Sequence, residues 1–184
     1  MQFDPISHTY SYNGQYLESV TQVLKRAGQI GDWGTRDDME RGTTVHELTA
    51  RLDRDEQPDI PRELQGYVGG WQRWLLESGF RVEQIETPVF SLKHGVAGTP
   101  DRVGYLPVLK GSRVVVDIKT SNFCQIAPWV RYQLAAYAML CRATPSERLE
   151  RVAIALTPSR YSIHHFKIDT LLVDWSQFIA WKEQ

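Results

Sequence analysis

Val114-Val115-Val116-Asp117-Ile118-Lys119-Thr120 is the stretch from which the fold is read. Three consecutive β-branched residues mark a buried strand. Along a strand, alternate side chains share a face. Asp117 and Lys119 therefore project together, while Ile118 points the other way into the core. A carboxylate and an ammonium at the end of a buried apolar strand are costly unless they are paired or put to use. A second acid stands one strand earlier, in Gly98-Thr99-Pro100-Asp101-Arg102-Val103, and can return to the same spot. Two readings are open. In one, Asp117–Lys119 is a salt-bridged strand end and Asp101-Arg102 belongs to a turn. In the other, both carboxylates face one ion. Neighbouring carboxylates repel, a phosphodiester adds more negative charge, and a divalent cation resolves both problems. Mg²⁺ takes oxygen ligands, keeps several waters and is often held by one or two carboxylates. It stabilises charge on a phosphate and acidifies a water. Lys119 would then stand beside the scissile phosphate, orienting or deprotonating the attacking water, or offsetting developing charge.

Around this segment, residues 81–91 and 95–106 read as strands separated by a Lys93-His94-Gly95 turn. Residues 128–142 read as a helix with Val130, Leu134, Tyr137, Ala138 and Cys141 on its inner side. Strands over 151–157 and 161–167 follow, joined at Pro158-Ser159, and a helix over 169–181 closes the chain. Nearer the start, Asn13-Gly14 predicts a small hairpin over 10–16. Ser19 caps a short helix that ends near Gly28. A longer helix is predicted from Arg36 to Leu52, with Met39, Val45, Leu48 and Leu52 on one side. Pro61 starts another, which carries Trp71 and Trp74 and stops at Gly79. The pattern predicts an α/β fold in a single domain over 1–184, with a central mixed β-sheet flanked by helices. Its parts are a mainly helical N-terminal portion over 1–80, a core over 81–167 and a C-terminal helix over 168–184.

Composition sets bounds. The chain has 184 residues, 42% hydrophobic and 23% charged, which fits one compact soluble domain. No apolar run approaches the roughly 20 residues that span a bilayer, so no membrane association is expected. Residues 1–10 hold no basic patch followed by an apolar stretch, so no signal peptide is expected. The default location is cytoplasmic. Cys124 and Cys141 lack zinc-type pairing and are read as reduced thiols, Cys141 in the core. Lys plus Arg is 21 and Asp plus Glu is 22, a net charge of −1. An acidic metal site and a local basic rim can cancel in that sum.

Pro100-Asp101 followed by Asp117-Ile118-Lys119 resembles the PD-(D/E)XK nuclease superfamily, in which an Asp after a turn and an Asp/Glu-x-Lys on the next strand form the metal site. Three further blocks resemble its RecB-type, phage exonuclease-like branch. Arg41-Gly42 with His46 is similar to its helical motif. Glu86 followed by Gly98-Thr99-Pro100-Asp101 is similar to its strand pair, and Gln133 with Tyr137 to its Q-x-x-x-Y motif. The resemblance implies a restriction-endonuclease-like core and an Mg²⁺-dependent deoxyribonuclease, with Mn²⁺ able to substitute. It implies that His46, Asp101, Asp117 and the Ile118 backbone carbonyl bind metal, that Lys119 is catalytic and that Glu86 is an accessory acid. Members of the branch commonly act as exonucleases or DNA end-processing enzymes. The implied partner is DNA, with a separate helicase or a single-strand annealing or binding protein beside it.

The outer residues carry bland readings as well. A helical His46 is ordinarily a core or surface residue, and imidazole suits Mn²⁺ better than Mg²⁺. Gln133 and Tyr137 share one helix face and either pack or reach toward DNA and the acids. Thr120 and Ser121 bond phosphate or cap a strand end. Arg131 and Trp129 offer a phosphate contact and a stacking surface, although such a Trp is more often core. Arg36 and Arg41 would rim a channel. The Trp71/Trp74 and Trp175/Trp181 sets are assigned to packing, and His8, His94, His164 and His165 to structural or solvated roles. Two cysteines exclude a four-cysteine iron–sulfur cluster, and no Walker-type loop supplies ATP hydrolysis. Rival readings are a structure- or site-specific endonuclease, an RNA nuclease, and a non-catalytic binding or assembly protein on a nuclease scaffold.

Overall fold

The computed structural model describes residues 2–4, 9–31 and 35–184; His8 lies outside them. In chain order the strands are β1 Gln2–Asp4, β2 Thr9–Tyr12, β3 Gln15–Ser19, β4 Arg81–Ile85, β5 Val89–Ser91, β6 Val96–Gly98, β7 Arg102–Leu106, β8 Ser112–Thr120, β9 Glu150–Leu156 and β10 Tyr161–Phe166. The α-helices are α1 Val20–Arg26, α2 Arg36–Leu52, α3 Gln65–Ser78, α4 Val130–Leu140 and α5 Leu171–Lys182.

Local chemistry sets most of these boundaries. Asn13 and Gly14 take φ of 49° and 80°, which suits the tight turn between twisted strands β2 and β3. Ser19 and Thr35 each close a capping box, with Gln22 and Asp38 at the third helical position. Gly79, at φ 64°, ends α3 in the left-handed conformation.

The larger sheet runs in the order β10-β9-β8-β7-β4 and is mixed: β8 and β9 are parallel, the other pairs antiparallel. Alternation along β8 divides the core. Val114, Val116 and Ile118 meet α2 and α3, including Trp71 and Trp74. Val115 meets α1, α4 and α5. Helices therefore cover both faces, as expected for this class. The two tryptophans are 0% and 1% exposed, in keeping with packing. Cys124 and Cys141 are free, and Cys141 is buried. Among the described residues, no helix is long and apolar enough to cross a membrane.

Three features depart from the sequence reading. First, a second five-stranded sheet exists, in the order β1-β2-β3-β6-β5. Residues 81–91 and 95–106 are not continuous strands. Each breaks at a proline, Pro88 and Pro100, which lacks the N–H a ladder needs. Before the breaks β4 pairs with β7, and beyond them β5 pairs with β6. The Glu86 N–H bonds the Asp101 carbonyl at 3.0 Å and ties the bend. Second, the N-terminal portion, which carries α1, α2 and α3 as expected, also contributes a strand to the second sheet, since β3 joins β6 in parallel. Third, Met39 is 64% exposed, since burial on α2 begins only at Val45 and its first turns stand clear of the core.

Candidate active site

The parallel pairing of β8 with β9 sets Asp117 beside Ala153 and Lys119 beside Ala155. Partners in register share a face, so two small neighbours leave α4 room to approach the acid and the lysine. Gln133 and Tyr137, one helical turn apart, are the α4 residues that reach them. Lys119 Nζ donates to Asp117 Oδ1 at 2.9 Å and to Gln133 Oε1 at 3.3 Å. Gln133 Nε2 donates to Tyr137 Oη at 3.4 Å. Gly98 makes this packing possible: a Cβ there would lie 2.5 Å from Tyr137 Cε1.

Asp101 arrives from the bend before β7. Its Oδ2 accepts the Ile118 N–H at 2.6 Å, and its Oδ1 lies 3.3 Å from His46 Nδ1. His46 Nε2 lies 2.9 Å from the Ile118 carbonyl. Asp101, Asp117, Lys119, His46 and the Ile118 backbone thus meet at one place.

The charges there are strongly perturbed. Burial pushes the Asp117 carboxyl up to about 6, with Asp101 adding to the rise against the pull of Lys119. Burial also pushes Asp101 upward, but His46, Lys119 and the Ile118 N–H overcome it and hold the group at about 2. Lys119 and His46 are both raised, because the neighbouring carboxylates outweigh burial. Lys119 therefore stands as an ammonium.

The fit to a divalent cation rests on Asp117. Its Oδ2 is buried without a hydrogen bond; it lies 2.9 Å from Lys119 Nζ, off the bonding angle. An orphaned carboxylate oxygen beside a second carboxylate and a backbone carbonyl is a hard-oxygen set of the kind Mg²⁺ takes. His46 reaches the same atoms, but each of its ring nitrogens already faces an oxygen. Among the described residues, no group of three or more His, Cys, Asp or Glu side chains is arranged around a common ion position.

Glu86, at φ 46°, borders a cleft of about 420 Å³ with Gly42, Thr43, His46, Glu47 and Arg54. It stands 4.0 Å from Arg102 Nη1. The residues proposed for DNA contact are placed unevenly. Gln133 and Tyr137 are at the centre. Thr120 faces Gly42, where its Oγ1 would lie 3.5 Å from an added Cβ. Ser121 Oγ accepts the Phe123 N–H at 3.0 Å, a local cap. Arg41 is bonded to Asp38 at 2.7 Å and stacked 5.5 Å over Tyr67. The structure does not bring Arg131 to the site: it pairs with Asp174 of α5 at 2.6 Å. Arg36 is tied to Glu40 at 2.7 Å. Of the remaining histidines, His94 stacks edge-on against Trp175, His164 bonds Ser162 and His165 bonds Glu150.

Sequence reasoning missed Arg102, which it placed in a turn. The side chain is fully buried. Its Nε donates to Asp53 Oδ2 at 2.6 Å, its Nη1 to the Asp101 carbonyl at 2.7 Å and its Nη2 to Thr49 Oγ1 at 3.2 Å. Trp71 Nε1 donates to the other Asp53 oxygen at 3.0 Å. Arg102 thus fixes the backbone that presents Asp101. The only sequence signal was its place beside Asp101, since Asp53 lies far away in the chain.

No protein-family model matches the chain, and no curated protein does. Among solved structures it is similar to a protein from Eubacterium rectale named "Putative exonuclease", with a TM-score of 0.60 and 12% identity over 98% of this chain and 84% of that one. At that identity the likeness shows a shared fold. An alkaline exonuclease from Laribacter hongkongensis superposes at a TM-score of 0.38, with 14% identity over 90% of this chain and 87% of that one. That likeness is too loose to bear on the site.

Proposed function

We propose that this chain is a metal-dependent nuclease of the exonuclease kind, which hydrolyses phosphodiester bonds in DNA. The observation that carries the reading is the convergence of Asp101, Asp117 and Lys119, with an Asp117 oxygen that is paired with the lysine but accepts no hydrogen bond. Asp101, Asp117 and the Ile118 carbonyl are the proposed ligands of Mg²⁺ or Mn²⁺, and His46 is the remaining candidate. Once bound, the ion supplies neutralisation of phosphate charge and a more acidic water.

The chain's own residues do the rest. Asp101 is oriented by the Ile118 N–H and the Arg102 clamp, so its carboxylate is held in place before substrate arrives. The raised Lys119 is an ammonium, which supports offsetting negative charge over removing a proton from water. Gln133, held by Tyr137, keeps the lysine aimed. Glu86 lines the adjoining cleft as an accessory acid. DNA is the proposed partner, in a cytoplasmic setting. The single domain over 1–184 is proposed to be sufficient for hydrolysis without ATP.

The test is digestion of end-labelled linear and circular DNA, single- and double-stranded, with Mg²⁺, Mn²⁺ or EDTA. Metal-dependent loss of linear DNA with circular single strands spared is the expected result. Cleavage of the circle points to the endonuclease rival. No cleavage under any condition overturns the reading.

A further inference from the structure

The loop over 121–129 leaves the strand that carries Lys119 and returns to the same lysine. It begins next to Thr120, and at its far end the Trp129 ring stands 5.3 Å from Lys119 Nζ. Both ends of the loop thus meet Lys119, and Phe123 stands four residues beyond it in the chain. The middle is anchored on either side. The Ser121 N–H bonds the Leu156 carbonyl at 3.0 Å, and the Phe123 N–H bonds Ser121 Oγ at 3.0 Å. The Cys124 carbonyl accepts from Ser162 Oγ at 3.1 Å and lies 3.2 Å from His164 Nε2. Ile126 turns inward and packs on the core. Phe123 is the large apolar side chain of this loop that is strongly exposed, at 73%, while Ala127 and Pro128, exposed as well, are small.

A single exposed apolar residue is ordinary on a protein surface. Phe123 differs because its backbone is bonded on both sides and its exposed ring belongs to a loop whose two ends meet Lys119. A strand whose phosphate lies at Lys119 carries its bases past this loop. An aromatic face there accepts any base, because every base has a π-face. We propose that Phe123 stacks on a nucleobase flanking the scissile phosphate and so holds the strand in register with Lys119. The inference rests on the nuclease reading.

The test compares the wild-type chain with Phe123→Ala, Phe123→Leu and Phe123→Trp. Steady-state hydrolysis of linear DNA with Mg²⁺ is read beside anisotropy binding of the same DNA. The position is exposed, so all three variants keep the wild-type melting temperature. Phe123→Ala raises KM and Kd about tenfold, within the span of base–aromatic stacking, and the loss falls on KM rather than kcat. Phe123→Trp restores both constants. Phe123→Leu, apolar but without a flat ring, does not. Unchanged constants for Phe123→Ala, or full restoration by Phe123→Leu, overturn the proposal and leave the nuclease reading standing. A wild-type chain that neither binds nor hydrolyses DNA overturns both.

Discussion

Replacing Arg102 by Met removes the side chain that fixes the bend presenting Asp101. Met matches the length of the stem but none of the donors. Asp53, whose side chain is 1% exposed, then keeps its charge with, among the described residues, only the Trp71 N–H as partner. Stranding one member of a buried ion pair costs about 3–5 kcal/mol. The lost bond to the Asp101 carbonyl falls within that range and is not added to it. A domain of this kind holds roughly 5–15 kcal/mol in all, so the variant folds with much of its margin gone. With a urea slope of about 2 kcal/mol/M, the midpoint drops by about 2 M. The second arm is the double variant Arg102→Met with Asp53→Asn. An Asn keeps an acceptor for Trp71 and carries no charge, so the pair costs less than the two single changes summed, by about 2 kcal/mol or more. Urea melts of the four proteins measure both quantities. A loss under about 1 kcal/mol for Arg102→Met, or strict additivity, refutes the idea that this clamp holds the Asp101 bend.

Two further expectations follow from the same geometry. Gly98→Ala drives a Cβ to 2.5 Å from Tyr137 Cε1 and 3.2 Å from Val20 Cγ2; it costs about 1–3 kcal/mol and lowers the cleavage rate by loosening Gln133 behind Lys119, read from melting and initial rates. In EDTA, stability falls as pH rises from about 4 to above 6. Asp117, raised to about 6 by burial, and His46, raised by Asp101, both bind protons more tightly when folded, so their contribution is present at low pH and lost through their folded values. Asp101 works the other way and loses its contribution only as pH falls toward about 2. Asp117→Asn removes roughly 2 kcal/mol of the slope between pH 4 and 6, and a wild-type melting temperature flat across that window contradicts the assigned shift.

Local signals in the sequence translated well into structure. The Asn13-Gly14 turn, the Ser19 cap and the Gly79 stop act within a few residues, so they are visible in a short window. The Asp117/Lys119 alternation is equally local. What escaped depends on distant parts of the chain. Nothing near Pro88 or Pro100 says that the ribbon changes sheets there, because that depends on the β3–β6 pairing across much of the sequence. Arg102 looked like a turn residue because its partners, Asp53 and Thr49, lie on another element. The buried Asp174 that pairs with Arg131 is likewise a residue of another element, α5. His46 reached the expected neighbourhood, yet contacts with Asp101 and Ile118 take both of its ring nitrogens.

The most direct measurement is metal-dependent cleavage by Asp117→Asn and Lys119→Ala, read beside a calorimetric titration with Mg²⁺ or Mn²⁺. Both variants lose about a hundredfold or more in rate while remaining folded. Asp117→Asn also loses the ion, whereas Lys119→Ala retains it. Wild-type cleavage rates in either variant would contradict the assignment of these side chains as the hydrolytic centre.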